Sequence, residues 1–544
     1  MCDVCGENVR GLATGSGGGG ETETTTRWRG LILIFEISMT RNIRRLVAIA
    51  GVSTACVAVA NDTDARGAFR AVFAAATVAT LIVDYKTSGE ARYGEVHERS
   101  AARLRKMCAR NGGLYVKAGQ FASTAGGVPL AYSRELSKLQ DEVEASGREA
   151  TLRVVREAFG GVSPDALFER FDETPIAAAS LAQVHKARLR SSGQTVAVKI
   201  QRPGLERDIE SDLATMSSLS ALTKFFFPSF DFAFMVDEFK SRLEKEINFE
   251  LEGRSCERLA RAFADDERIE SPEVIWEFTR PKVLTMEFID GVKITDIDAM
   301  KTAGLDPKAA ALAMSDAFAR MLLVHGYVHG DPHPGNVLCR AHPSGNGKTQ
   351  VVILDHGLYS ELSESSRRAM STLWLAIATG DATRAVSAAK ELKVPDEFTW
   401  LLPLTLARKT TDGRPVNREL LEKKWAEDKA KGGVGRPGLT EASLIGQNLS
   451  KEMIIVLRAN ALVRNVIKAL GAKDERTITS LELRRQWSNV RYAALGAIIP
   501  SGLGESTLAD VSYTTRLRWR LASIDVSTRA ALSALRRRRR HGQR

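Results

Sequence analysis

A chain of 544 residues exceeds what one compact core accommodates, and length alone points to two to four domains. With 44% hydrophobic and 26% charged residues it is ordinary globular material, which excludes a wholly disordered chain and a polytopic membrane protein with many long apolar spans. The formal charge is +11, but nine of those charges sit in residues 516–544, where ten arginines face the single acid Asp525, so the main body is not expected to bind nucleic acid.

Residues 1–26 are Gly-, Thr- and Glu-rich without an apolar period and read as disordered. Cys2 and Cys5 form a lone CxxC, too few ligands for a closed zinc site, and the six cysteines are too scattered for a disulfide scaffold. The stretch Ile37–Asn61 carries Arg41, Arg44 and Arg45 and no acid, the texture of an organelle import segment, and Met39 within it is a second candidate start. Two apolar runs follow, Leu46–Ala60 and Ala71–Val83. The first makes a helix of about 22 Å against roughly 30 Å of hydrocarbon, so neither spans a bilayer comfortably, and a single anchor competes with a buried or surface-lying helix.

From 87 to 170 the pattern is helical, broken at Gly112–Gly113 and Pro129. Gln183–Leu189 and Thr195–Gln201 are β-prone runs split by Ser191-Ser192-Gly193-Gln194, a hairpin. Val236, Phe239, Leu243 and Ile247 recur on one helical face. Val274–Phe278 and Val283–Phe288 read as two more strands; a helix over Lys308–His325 runs into the loop His329–Asn336 and the strand Val351–Leu354. Residues 364–400 and 440–475 are helical, joined by a polar loop over 408–439. Five strands followed by a mostly helical second half describe a bilobal α+β protein.

Three segments supply, in order, parts that phosphoryl transfer needs. Val196-Ala197-Val198-Lys199 places a lysine on a strand, where it can reach nucleotide phosphates if a helix-borne carboxylate orients it. His329-Gly330-Asp331-Pro332-His333-Pro334-Gly335-Asn336 fits the catalytic-loop spacing H-x-D-x-x-x-x-N, with an aspartate for the acceptor and an asparagine for a metal. Asp355-His356-Gly357 follows an apolar strand at the position of the D-F-G metal-binding aspartate. Asn336 and Asp355 converge on one Mg²⁺ only if the intervening chain doubles back, and Ser344-Gly345-Asn346-Gly347 supplies the turn. Singly these are a solvated lysine, a core histidine, a turn residue and a strand-end cap; together they are hard to produce by chance. Ala177-Ala178-Ala179-Ser180 stands where a kinase carries glycines, and its Cβ atoms resist the close phosphate approach that glycine allows. No A-P-E segment follows Asp355, which argues against an ordinary Ser/Thr kinase.

These residues, with Lys117-Ala118-Gly119-Gln120 (the K-x-G-Q element) and Ser180-Leu181-Ala182-Gln183-Val184-His185, resemble the UbiB family of atypical, aarF-domain kinases over roughly 85–480. The Asp-His-Gly ending with Leu358-Tyr359 resembles the branch tied to mitochondrial lipid homeostasis more than the coenzyme Q branch. The resemblance implies a protein-kinase-like fold with an added N-terminal helical extension and a mostly helical C-lobe. The segments are then 1–45 disordered or targeting, 46–86 apolar helices and candidate anchor, 87–170 the extension, 171–290 the N-lobe, 291–490 the C-lobe and 491–544 a basic tail. It implies that Lys199 contacts phosphates and pairs with Glu252, that Asp331 is the catalytic-loop aspartate, and that Asn336 and Asp355 hold Mg²⁺. Ala177–Ser180 (with Ala178 and Ala179) would cover an ATP or ADP molecule, Glu287 and Phe288 would lie beside the adenine, and Lys117 and Gln120 would point into the site from a helix folded over it. The family's E-x-D element appears as Glu246-Ile247-Asn248, so a salt bridge from Lys117 must rely on Glu246.

The expected activity is slow ATP hydrolysis or transfer to a small or membrane-held acceptor, in mitochondrial lipid or quinone metabolism, with a chloroplast as the rival location. A catalytically silent pseudokinase that scaffolds lipid- or quinone-pathway proteins is the competing class. In the tail, Leu517, Leu521 and Ile524 share one helical face among arginines, so the tail is a candidate for an anionic membrane surface, each arginine adding up to about 1 kcal/mol, with a disordered basic end as the alternative.

Overall fold

The computed structural model describes residues 65–541 except 411–448 and the short stretches 90–91, 125–127, 140–144, 229–232, 332, 346, 397–398, 472–474, 500–501 and 504–505. The import segment, the first apolar run and nearly all of the 408–439 loop therefore lie outside the described residues. Two compact units are distinguished: the described residues up to Val96 with those of Ala214–Asp231, and His97–Leu213 with those from Phe232 onward.

In the first unit, α1 (Ala65–Thr87) contains the second apolar run. Its threonines fit an apolar helix because Thr77, Thr80 and Thr87 donate their hydroxyls to the carbonyls of Phe73, Ala76 and Val83. The helix continues through Asp84, so the stretch Gly67–Thr87 is long and apolar enough to cross a membrane, longer than the 13-residue run in the sequence suggested. A core helix of a soluble protein meets the same criteria of length and composition.

In the second unit the helical extension consists of α2 (Tyr93–Asn111, assigned here from His97), α3 (Gly113–Thr124), α4 (Leu130–Leu136), α5 (Arg148–Ala158) and the single turn α6 (Pro164–Leu167). Gly112 and Gly113 sit at φ of 67° and 45°, the left-handed region in which glycine is unstrained, and make the α2–α3 break. Residues 168–170, expected to close the helical extension, instead belong to strand β1 (Phe168–Phe171). It joins β2 (Ala177–Ala178), β3 (Ala182–Leu189), β4 (Thr195–Gln201) and later β6 in an antiparallel sheet of order β1-β3-β4-β6, with β2 beside β3.

Strand β4 is buried on both faces, and the period of two divides its residues. Val196, Val198 and Ile200 pack with Val154 and Val155 of α5 and with Phe168 and Leu189. Ala197 faces a second cluster that contains Phe249, Cys256 and Leu284, and Lys199, two residues on, shares that side. Helices α7 (Leu205–Phe226, whose residues from Ala214 belong to the first unit), α8 (Ala233–Glu246) and α9 (Phe249–Phe263) follow, then β5 (Ile269–Glu270) and β6 (Val283–Glu287).

The expected strand Val274–Phe278 is a correction. Only Val274 makes an isolated bridge, to Met286, and Trp276–Phe278 is a 3₁₀ turn. Side chains take the carbonyls that a ladder would use: Thr285 Oγ1 donates to Phe278 O at 2.6 Å and Thr279 Oγ1 to Ile275 O at 3.0 Å.

A large helical core then forms around α11 (Pro307–Arg320), preceded by β7 (Val292–Lys293) and α10 (Ile297–Thr302). The end of the expected 308–325 helix winds into a π segment, Met321–His325, stopped by Gly326 at φ 67°. Strand β8 (Tyr327–His329) pairs with β11 (Tyr359–Glu361), so His329 closes a strand rather than opening a loop. Between them β9 (Val337–Ala341) and β10 (Thr349–Ile353) form an antiparallel hairpin whose turn uses Gly345 and Gly347 at φ near 70°. The sheet order is β5-β10-β9-β7, with β5 and β10 parallel.

Helices α12 (Glu364–Thr379), α13 (Ala382–Glu391), α14 (Leu401–Ala407), α15 (Lys451–Leu470), α16 (Glu475–Ile498) and α17 (Tyr513–His541) complete the described elements. The boundary expected at 490 falls inside α16, and the tail is a helix.

Arg367 binds the π segment to α16. Its buried guanidinium donates to Leu323 O at 2.8 Å, Gly496 O at 2.9 Å and Ile499 O at 3.2 Å while Glu364 balances its charge. A Cβ on Gly496 would press into the Leu323 carbonyl and lie 2.6 Å from Ser371 Oγ. Gly496→Ala is therefore expected to destabilise the protein by about 1–3 kcal/mol in denaturant unfolding, the usual cost of overpacking a filled interior; an unchanged midpoint would refute this close packing.

Candidate active site

The site forms where β4, α9 and the ends of β8, β9 and β10 meet. Lys199 Nζ donates to both oxygens of Glu252, at 2.6 and 2.8 Å, and lies 3.7 Å from Asp355 Oδ1. Glu252 is on the buried face of α9, in step with Phe249, Cys256 and Leu259, so a carboxylate occupies a core position and the lysine supplies its counter-charge. Lys199 Nζ also lies 5.2 Å from the centre of the Phe249 ring. Glycine at 253 lets the helix approach closely, since a Cβ there would meet Trp276 at 3.1 Å and Val274 at 3.3 Å.

The three charges bias one another. Burial alone would lower the Lys199 ammonium, but Asp355 and Glu252 outweigh it and hold it above the usual lysine range. Burial pushes the Glu252 carboxyl up, to about 7, against the pull of Lys199. Burial also pushes Asp355 up, but Lys199, the Gly357 amide and Lys117 together hold it well below the usual carboxylate range. Its side chain is 44% exposed, so this is the carboxylate that opens to solvent and ligand.

Asn336 ends the 3₁₀ turn Pro334–Asn336, and its Nδ2 lies 3.3 Å from Asp355 Oδ2. The β9–β10 hairpin brings these two residues together, with Leu354 N donating to Asn336 O at 2.9 Å. As a cation site the pair offers one carboxylate and one amide, hard oxygen donors of the kind Mg²⁺ accepts when phosphates and waters complete its shell. The amide must turn to present Oδ1, because its nitrogen now faces the carboxylate. Among the described residues no group of three or more His, Cys, Asp or Glu forms a self-sufficient metal centre, so a cation at this pair would need further oxygens from a ligand or water.

Asp331 follows β8, and its amide donates to His329 Nδ1 at 3.0 Å. His356, where a kinase has phenylalanine, is buried and satisfied: Nε2 bonds Ile353 O and Nδ1 the Tyr359 hydroxyl, both at 2.9 Å. Tyr359 stacks on Tyr327 at 4.2 Å. Burial lowers the His356 imidazole to about 3, so it is neutral. The role of Tyr359 was missed; a buried histidine in an apolar motif position was the signal that a hydroxyl partner lay nearby.

Lys117 on α3 pairs with Glu246, the last residue of α8, at 2.7 Å. Glu246 in turn lies against Gly357, where a Cβ would be 3.7 Å from Glu246 Cγ and 3.4 Å from Asp355 Oδ1. Asn248 caps α9 by accepting from Glu250 N at 3.1 Å, a task open to aspartate and asparagine alike. Glycine stands at 119 because a Cβ would meet a Leu139 methyl and lie 3.3 Å from Cys108 Sγ.

The Gln120 amide donates to Leu139 O at 3.2 Å. Ser180 is buried at the turn, Ala177 is exposed, and Ala178 and Ala179 are half-buried. Ala179 N bonds Ala182 O at 2.8 Å and Ala179 O accepts from Arg202 at 3.3 Å, so the alanine turn is tied down on both sides. Glu287 sits at the end of β6 with its carboxylate held by Arg340 at 2.9 Å, and Phe288 lies beneath Lys186.

Residues 138–389 match the family described as ABC1 atypical kinase-like domain. An AarF domain-containing protein kinase 1 of Gallus gallus is 34% identical over 451 residues, 80% of this chain and 86% of the relative. The chain belongs to the ABC1/AarF family of atypical kinases. Other members similar to it are a probable serine/threonine-protein kinase, abkB, of Dictyostelium discoideum, 33% identical over 388 residues (70% of this chain, 55% of the relative), and a putative ABC1 protein of Arabidopsis thaliana, 36% identical over 317 residues (56% and 59%). The fold is accordingly a kinase-like ABC1 domain of mixed helix and sheet.

The sealed Glu252 gives this AarF-type site a pH signature. In Lys199→Met the carboxyl loses its counter-charge and rises further above its unfolded value, so its favourable contribution is complete in acid and lost as pH increases. The variant should be nearly as stable as the parent at about pH 5 and should lose about 3–5 kcal/mol above pH ~8, read by denaturant unfolding. A deficit independent of pH would contradict the sealed carboxylate.

Proposed function

We propose that this AarF-family chain binds ATP with Mg²⁺ and acts as an ATPase or as a phosphotransferase toward a small or membrane-held acceptor. The observation that carries the reading is the convergence of Lys199, Glu252, Asp355 and Asn336. In this reading Lys199, oriented by Glu252, holds nucleotide phosphates. Asp355 and Asn336 hold the metal, which supplies charge neutralisation at the phosphoryl oxygens when bound, and Asp331 faces the acceptor. Ala177–Ala179 cover the nucleotide, and the adenine lies by Glu287 and Phe288.

The small acceptor is supported by the Lys117–Glu246 pair set against Gly357, which narrows the approach to Asp355 from the side of the extension. A role in mitochondrial lipid or quinone metabolism belongs to the same reading and rests on the import-like texture of Ile37–Asn61 and the Asp-His-Gly ending. A nucleotide-regulated pseudokinase is the alternative that turnover decides.

The test is melting of the full chain with ATP or ADP, with and without Mg²⁺, beside ATP turnover. Ligand at a hundredfold excess over Kd should stabilise the parent by about 2.7 kcal/mol, more with Mg²⁺ than without. Asp355→Ala should lose the Mg²⁺-dependent part and turnover together. Stabilisation without turnover would favour the pseudokinase, and no response at all would remove the nucleotide reading.

A further inference from the structure

Helix α17 has two apolar faces. Trp519 is buried, with Ala522 and Val526 packed beside it against the helical core. Trp519 Nε1 donates to Arg491 O at 2.7 Å, the Arg491 guanidinium lies 5.0 Å from its ring, and Tyr492 packs at 5.9 Å, so α16 fixes the rotation of the helix. At 3.6 residues per turn these three positions fall in an arc of about 60°. Tyr513, Leu517, Leu521 and Ile524 fall in a separate arc of about 80°, centred about 170° away from the first. They are 74%, 45%, 59% and 64% exposed, four of the thirteen exposed large hydrophobic residues among the described residues. An ordinary surface helix buries its apolar stripe; this one buries one and turns a second outward.

Charge decides what meets the outward stripe. Arg516 and Arg520 border it on one side and Arg518 on the other, all exposed, and Asp525 is the only acid from 516 to the end of the chain. In the sequence, Ala531 and Leu535 continue the spacing of the stripe. A second copy of the chain would bring the same concentration of arginines against itself. A nucleic-acid backbone would satisfy the arginines but leave the leucines in water. An anionic lipid surface satisfies both, with apolar side chains among the acyl chains and guanidinium groups at the phosphates.

We propose that the outward face of α17, formed by Tyr513, Leu517, Leu521 and Ile524 between exposed arginines, docks this protein on the surface of an anionic lipid bilayer. The helix lies in the plane of the interface with its Trp519 face still packed on the protein. The placement is independent of the nucleotide site and of any membrane role for α1.

The test is flotation of the full chain with vesicles of phosphatidylcholine alone and of phosphatidylcholine mixed with phosphatidylglycerol. The parent should bind the mixed vesicles and be released as salt rises. The triple variant Leu517→Glu, Leu521→Glu, Ile524→Glu should bind them roughly tenfold more weakly or worse, with unchanged melting because all three side chains are exposed. Arg516→Gln, Arg518→Gln, Arg520→Gln should narrow the preference for the mixed vesicles. A triple variant that binds like the parent, or a parent that binds both vesicles equally and without salt dependence, would overturn the proposal. A photo-crosslinking benzoylphenylalanine in place of Leu521 reads the face directly even if the triple variant misfolds. Capture of lipid supports the proposal, and capture of a second copy, or of another segment of the same chain, overturns it.

Discussion

A lysine ammonium clasped by a carboxylate that is almost sealed from water is the constraint on which the rest of the candidate site depends. Burying Glu252 in the apolar face of α9 carries a desolvation cost that is offset only if Lys199 arrives at hydrogen-bonding distance of both its oxygens. That requirement fixes the register of β4 against β6, through which the strand is held, and the distance of α9 from the sheet, which Gly253 permits. Asp355 then completes the cluster from the other side, delivered by β10, so sheet, helix and hairpin share one electrostatic junction.

Several surrounding features follow from keeping that junction in place. The His356 imidazole, tied to Ile353 O and the Tyr359 hydroxyl, fills an interior position and fixes the chain on the far side of Asp355. The Gly357 amide donates to Asp355 Oδ1 at 3.1 Å. Beneath β8 the π segment Met321–His325 has irregular carbonyls, and Arg367 collects one of them together with two from the end of α16. The segment after His329 thus starts from a strand whose root is clamped to the helical core.

What the sequence disclosed was governed by period and by turn chemistry. The β3–β4 hairpin was legible because both strands are long and β-prone and their connection is polar with a glycine; the β9–β10 turn was legible because Gly345 and Gly347 had to bring Asn336 to Asp355. The pairing partner of Lys199 came from family likeness, not from spacing, since 53 residues separate it from Glu252. Strands of two or three residues, such as β2, β5, β7 and β8, carry too little periodicity to be seen; β2, β5 and β7 are completed by a longer neighbour, and β8 pairs with the equally short β11. Val274–Phe278 looked like a strand by composition, but threonine hydroxyls outcompeted the ladder. Gln120 and Ser180 were placed at the site by motif position alone; the Gln120 amide bonds Leu139 O, and Ser180 is buried at the alanine turn.

The alanine turn and the junction set the chemistry that the site can support. Arg202 and the Ala179–Ala182 bond hold the turn in one shape, so a nucleotide bound as proposed would meet methyl groups rather than the open amides of a glycine loop. In the proposed reading, most of the phosphate charge would then have to be met by Lys199 and by a metal at Asp355 and Asn336. Binding of Mn²⁺ with ADP, followed by the broadening of its paramagnetic resonance, tests that division most directly. The account predicts tight nucleotide-dependent Mn²⁺ binding in the parent that is lost in Asp355→Asn; equal Mn²⁺ binding in the two proteins, or binding indifferent to ADP, would contradict it.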